Sequence, residues 1–266
     1  MSFKGGWLNA TQQELTTDKA RLAYVLMLAD DALILGQQLG KWCSNGPVLE
    51  QDIAIINTAL DHIGRARLLY QYAALLKGDD VTEDDFAYHR DAHEFNNLLM
   101  LEQPNGHWGD TIARGFLIDT YNYYIFEKLT RSNDAQLAAI AQKAIKEITY
   151  HAQWSAEWVI RLGDGTDVSH TKIQESFNEL WMWTGELFEE NEIEKAAESA
   201  GFGVNGSSIK NDWNNKINEV LTQATLARPA DGWMQTGGRK GVHTEKLGFI
   251  LAEMQFLPRA YPDAKW

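Results

Sequence analysis

Cysteine is nearly missing from this chain. Cys43 is the only one, so an internal disulfide and a thiolate metal cluster are both excluded. Cys43 follows an apolar helical stretch, where a lone thiol reads as a small core residue rather than a nucleophile. Proline is scarce, at five residues in 266. Few breaks of that kind leave room for long helices, because proline removes a donor and clashes inside a helix. No uninterrupted apolar run reaches the roughly 18 residues of a membrane span. The opening "MSFKGGWLNATQQELTTDK" has no apolar leader core, so a cytoplasmic location is expected. Positive charge is in deficit, with Lys+Arg 24 against Asp+Glu 37, a net charge of −13 and a pI near 5.0. That balance argues against nucleic acid, whose binding depends on neutralising phosphates.

What is present is a globular composition, 44% hydrophobic and 23% charged. Helical spacing dominates. Thr17 or Asp18 is a candidate cap for a helix to about Trp42, with Leu22, Val25, Ala29, Ala32, Gly36 and Leu39 on one face. "SNGP" then breaks the chain. A second helix, about Leu49–Leu76, carries Ile53, Ile56, Leu60, Ile63 and Leu68. A short helical segment is expected over about Asp84–Met100, and a long helix over about Asp110–Leu129. A fourth long helix, reaching about Leu162, has the clearest stripe: Leu137, Ile140, Ala144, Ile148, His151, Ser155, Trp158, Leu162. Further helices are expected over about Ser169–Ser199, Ile209–Leu226 and His243–Phe256, and the tryptophans 154, 158, 181 and 183 are expected as core or interface anchors. The expectation is an all-α, four-helix bundle with additional C-terminal helices, in a single domain over residues 1–266.

Such bundles hold di-metal centres with Glu-x-x-His, which places both ligands on one helix face a turn apart. None of the seven histidines has that partner. Three residues before His62, His89, His93, His107, His151 and His243 stand Ala59, Phe86, Arg90, Pro104, Ile148 and Lys240. His170 follows Asp167 by three, at a turn where the pair reads as a helix start. Glu147 and His151 in "KEITYH" are four apart and share a face, so a metal remains open to them. The helix facing them would offer His62 and Arg65, and a guanidinium is a poor metal ligand suited to neutralising buried carboxylates. A hydrogen-bonded polar cluster of Arg65, Glu147 and His151 is the other reading. "HRDAH" (89–93) reads as a solvated helix face, and "TGGRKG" (236–241) as a conformational loop, with a contact to an anion or a partner as the alternative.

Four stretches together carry a family resemblance: "LMLADDALILGQQLGKWCSNGPVLEQDIAIINTALDHIGRAR" (26–67), "EQPNGHWGDTIAR" (102–114), "AEWVIRLGDGT" (156–166) and "GGRKGVHTEKLGFILAEMQFLPRAYPDAKW" (237–266). They resemble the C-subunit family (PaaC) of the ring-1,2-phenylacetyl-CoA epoxidases, over nearly the whole length. The resemblance implies a ferritin-like fold and a structural, non-catalytic role beside a catalytic A subunit. That A subunit would hold the di-iron centre, with a B subunit and a flavin/iron–sulfur reductase completing the complex. Set against the catalytic chain's Glu-x-x-His, His62 falls on the glutamate and Arg65 on the histidine. On the fourth helix, Glu147 with Tyr150, or Ile148 with His151, leaves one ligand missing. The resemblance therefore implies that His62, Arg65, Glu147, Tyr150 and His151 mark a lost metal site, with no cofactor in this chain.

The alternative is a stand-alone di-metal oxidase using Glu147, His151, Glu127 and Asp30 or Asp31. One more expectation comes from charge. Residues 226–266 hold six Lys/Arg and four Asp/Glu, net +2, which leaves −13 − 2 = −15 for residues 1–225. This contrast nominates Arg239, Lys240, Arg259, Tyr261 and Trp266 as contacts for a partner subunit, and a homo-oligomer is a further option.

Overall fold

The first helix, α1 (Thr17–Gly40), is apolar around almost its whole circumference and is accordingly buried nearly throughout. The structure is a computed structural model that describes residues 17–264. By length and composition α1 could cross a membrane, but 83% of its apolar window is buried inside the protein itself. Gly40 ends it, and Cys43 falls in the turn beyond, exposed, so the expected core cysteine is instead a surface one.

Helix α2 (Leu49–Lys77) runs back along α1 and stops at Gly78, whose φ of 68° suits a residue without Cβ. After the short α3 (Glu83–Tyr88) come α4 (Trp108–Leu129) and α5 (Ala135–Gly163), a second antiparallel pair. The Asp134 side chain caps α5 by accepting from Leu137 N at 2.9 Å. Helix α2 meets α5, closing the two pairs on one another, and the Arg65 guanidinium of α2 lies over the Phe126 ring of α4. Helices α6 (Asp167–Leu180) and α8 (Lys210–Gln223) flank the second pair, α7 (Glu192–Ser199) covers α1, and α9 (Glu245–Ala260) packs on α3 and α1. A hydrophobic cluster extends from Ala20 to Leu251 through all of these layers. Among the described residues no strand occurs.

Two expected helices are broken, and buried carboxylates break both. The segment 84–100 leaves α-helical geometry after Tyr88, keeping only 3-10 turns at Ala92–Glu94 and Leu99–Glu102. Its backbone instead donates Asn96 N to Asp30 Oδ2 and Leu98 N to Asp31 Oδ1, each at 2.9 Å. Arg90, expected on a solvated face, turns inward to Asp30 and Tyr70. Similarly, 169–199 divides into α6, two 3-10 turns and α7, so that Glu186 can reach Leu99 N at 2.7 Å and Gly238 N at 2.6 Å. The "TGGRKG" loop thus binds an internal anion. Thr166, not Asp167, caps α6, while His170 Nδ1 meets the Gly163 carbonyl at 2.7 Å. Trp181 is a core residue, and the tryptophans 154, 158 and 183 are half-buried against the core.

The buried face of α2 also differs from the apolar reading. Ile53 and Leu60 are exposed, whereas Ile55, Ala59, His62, Arg65, Ala66 and Leu69 face inward. The inward stripe includes a histidine and an arginine, so a count of apolar residues alone misplaces it.

Candidate functional site

On α2, His62 and Arg65 stand one turn apart on the inward face. Asp119 comes from α4, and His151 and Ser155 from α5. All five are buried. Nitrogen atoms of His62 and His151 and an oxygen of Asp119 lie within 4.8 Å of one another, and the two rings stack with centroids 5.3 Å apart. Arg65 Nη2 approaches His62 Nδ1 at 2.6 Å, and His151 Nε2 approaches Asp61 Oδ2 at 2.9 Å. A cleft of about 100 Å³ between α2 and α5, lined by Asp61, Gly64, Arg65, Lys143, Ala144 and Glu147, reaches the Arg65 side of this centre.

Burial governs the electrostatics. It pushes the Asp119 carboxyl up, although His151, a Ser155 hydrogen bond and Arg65 all oppose the shift. Burial, then the charges of Arg65 and His151, holds His62 well below the ordinary imidazole range. Burial likewise lowers Arg65 to about 10, against the pull of Asp119 and Glu147. Glu147, at the cleft, is raised by partial burial and by Asp61 beside it.

The chain matches the family described as phenylacetic acid catabolic protein over residues 7–266. It belongs to that family. It is also 46% identical over 244 residues to the C subunit of 1,2-phenylacetyl-CoA epoxidase from Escherichia coli (strain K12), covering 92% of this chain and 98% of that one. The fold of the family is ferritin-like, and the all-helical architecture agrees with it.

A di-iron centre does not fit the residues in this member of the family. Two metals in such a fold require several carboxylates as well as two imidazoles converging from the helices. Here one carboxylate and two imidazoles converge, and a guanidinium lies among them. The stand-alone oxidase set fares no better. Glu127 pairs with Arg131 at the surface, and Asp30 and Asp31 are held by Arg90 and Arg239 away from His151.

Of the positions expected to mark a lost site, His62, Arg65 and His151 are brought together and Glu147 sits at their cleft. Tyr150 is not at the centre. It is 52% exposed, because one residue before His151 lies about 100° around the helix. Asp119 is absent from the set that the sequence nominates, yet a signal is there. Asp119 is the one charged residue inside the largely apolar and aromatic run "GFLIDTYNYY" (115–124), as a buried functional carboxylate would be.

The nominated contact residues separate. Arg239 is buried and bound to Asp31, so it is an internal strut and not a surface contact. Lys240 is exposed and meets Glu189 Oε1 at 2.6 Å. Arg259 holds Asp91 and the carbonyls of Tyr88 and Arg90, and Tyr261 is exposed. Trp266 lies outside the described residues.

Proposed function

We propose that this chain is the non-catalytic, structural subunit of a multicomponent phenylacetyl-CoA epoxidase. In this reading it is a single-domain, cytoplasmic protein of the ferritin-like four-helix type. It pairs with and stabilises a catalytic A subunit, which holds the di-iron centre, in the degradation of phenylacetate. A B subunit and a reductase complete the complex. The supporting observation is the polar centre: an arginine lies where a metal-binding member would need another ligand. The 46% identity to an epoxidase's C subunit supports the assignment to that system.

Co-expression with the catalytic subunit of the same organism tests it. The expected result is one co-purifying complex in which iron follows the catalytic chain, while this chain alone, reconstituted anaerobically with ferrous iron, stays metal-free. Failure to co-purify overturns the pairing. Two tightly bound irons per chain with a di-ferric absorption band overturn the non-catalytic role.

A further inference from the structure

The three-donor cluster is half prepared for a metal. His151 places Nε2 against the Asp61 carboxylate, which can only accept, so that nitrogen carries the hydrogen. Its Nδ1 is buried and has no hydrogen-bond partner. A metal-ligating imidazole has this arrangement, one nitrogen donating to a carboxylate and the other offering a lone pair. His62 is arranged the opposite way. Arg65 can only donate, so His62 Nδ1 must accept from it at 2.6 Å. The proton of the neutral ring is then on Nε2, which is buried and also without a partner. One nitrogen of His62 is therefore covered by Arg65, and the other is protonated because of Arg65.

The same guanidinium supplies positive charge beside Asp119, where a bound cation would otherwise supply it. Its own Nε and Nη1 are buried without partners, so its position is set by this charge and by the Phe126 ring, 5.1 Å away, more than by hydrogen bonds. The cleft between α2 and α5 brings two carboxylates, Asp61 and Glu147, and two cations, Lys143 and Arg65, to its walls, so that Arg65 stands between solvent and the three donors.

We propose that His62, Asp119 and His151 form a latent mononuclear site for a divalent transition cation, held shut by Arg65. A residue at 65 that accepts from His62 Nδ1 would move the proton to Nδ1 and free the Nε2 lone pair. Glutamine can accept there through its carbonyl oxygen, as arginine cannot, and it also removes the competing charge. Two imidazoles and one carboxylate suit Zn²⁺ or Co²⁺. This rests on the reading that the wild-type chain carries no metal of its own, and the two are tested separately. Tight metal in the wild-type chain sinks that reading, whereas the behaviour of the variants decides this one.

The test is Co²⁺ titration of the full chain, followed by visible ligand-field absorption and calorimetry. Arg65→Gln should bind one Co²⁺ about 10- to 100-fold more tightly than wild type, the size of effect that groups orienting a metal ligand have. Adding His62→Ala or Asp119→Ala to Arg65→Gln should abolish the band, and Arg65→Lys should not acquire it. Because removing a buried charge can prevent folding, Arg65→Met is titrated in parallel, with thermal unfolding recorded with and without Co²⁺. Recovery of folding by cobalt supports the proposal, since the cation then replaces the lost charge. Equal affinity in wild type and Arg65→Gln overturns it. So does a band that survives His62→Ala, or two variants that neither bind nor are rescued by Co²⁺.

Discussion

Arg239 grips Asp31 through both terminal guanidinium nitrogens, Nη1 to Oδ1 at 2.9 Å and Nη2 to Oδ2 at 2.7 Å, with both residues buried. The neighbouring Asp30 is bound by a different arginine, Arg90. Two adjacent acids on α1 thus fasten two segments far apart in sequence, one after α3 and one before α9. Asp30 and Asp31 look like metal ligands in the sequence because they are acids on an apolar helix. Their charge is satisfied by arginine and backbone amides instead.

The Arg239–Asp31 pair makes the first prediction. Breaking a buried pair by removing one partner leaves an uncompensated charge and costs about 3–5 kcal/mol. Arg239→Ala should lower stability by that amount in urea unfolding. The Arg239→Ala, Asp31→Asn double variant should recover part of the loss. Strict additivity of the two single changes would show that they are not coupled.

Glu186 makes the second. Its Oε1 accepts from Gly237 N at 3.0 Å and Gly238 N at 2.6 Å, and its Oε2 from Leu99 N at 2.7 Å. Glu186→Gln keeps the shape but points an amide NH₂ at a backbone donor. Hydrogen bonds to a charged group are worth about 1.5–3 kcal/mol, so a loss in that range is expected. Hydrogen exchange should quicken around Gly237 and Gly238 first. A variant as stable as wild type would remove Glu186 as the anchor of this loop.

The long helices are legible in the sequence because apolar spacing sets them directly. The stripe of α5 from Leu137 to Ser155 is buried as its period requires. The absence of Glu-x-x-His is legible too, since it depends only on residue order. What is not legible is set by buried polar groups. The inward face of α2 contains His62 and Arg65, so hydrophobicity points to Ile53 and Leu60 instead. The expected helix over 84–100 unwinds because Asp30 and Asp31 attract its backbone amides, a long-range demand that local propensity does not contain. Asp119 is hidden for a similar reason: its partners lie on α2 and α5, remote in sequence.

A pH dependence should arise at His243. Its Nδ1 meets Glu102 Oε1 at 2.6 Å and its Nε2 meets the Phe95 carbonyl at 2.8 Å. Burial alone would lower this imidazole, but the Glu102 hydrogen bond and charge, with the Phe95 carbonyl, raise it above 6.5. A raised folded-state pKa gives stability that is full below the unfolded value and is lost as pH climbs through the folded one. The chain should therefore lose stability as pH rises above neutrality, through a looser attachment of the start of α9. His243→Gln should flatten that part of the profile, measured as the urea midpoint between about pH 6 and pH 9. An unchanged slope in the variant would assign the effect elsewhere.

The exposed side of α9 supplies the last prediction, which rests on the proposed pairing with a catalytic subunit. Phe249 and Phe256, seven residues apart on one face of α9, are open to solvent, and so is Tyr261 just beyond its end. Clustered large apolar side chains on a surface helix mark contact sites, and aromatic residues carry much of the energy of such contacts. Lys240 and Arg259 lie in the same segment of reduced negative charge, although Arg259 also fastens α9 to Asp91. Its substitution would therefore mix folding with binding, and the aromatic residues give the cleaner test. Phe256→Ser and Tyr261→Ser should each weaken association with the catalytic subunit at least about tenfold, equivalent to about 1.4 kcal/mol. The urea midpoint of the chain alone should stay near that of wild type, because neither side chain is in the core. Hydrogen exchange along α9 should slow when the complex forms. Unchanged affinity in both variants, with unchanged exchange, would move the contact to another face of the molecule.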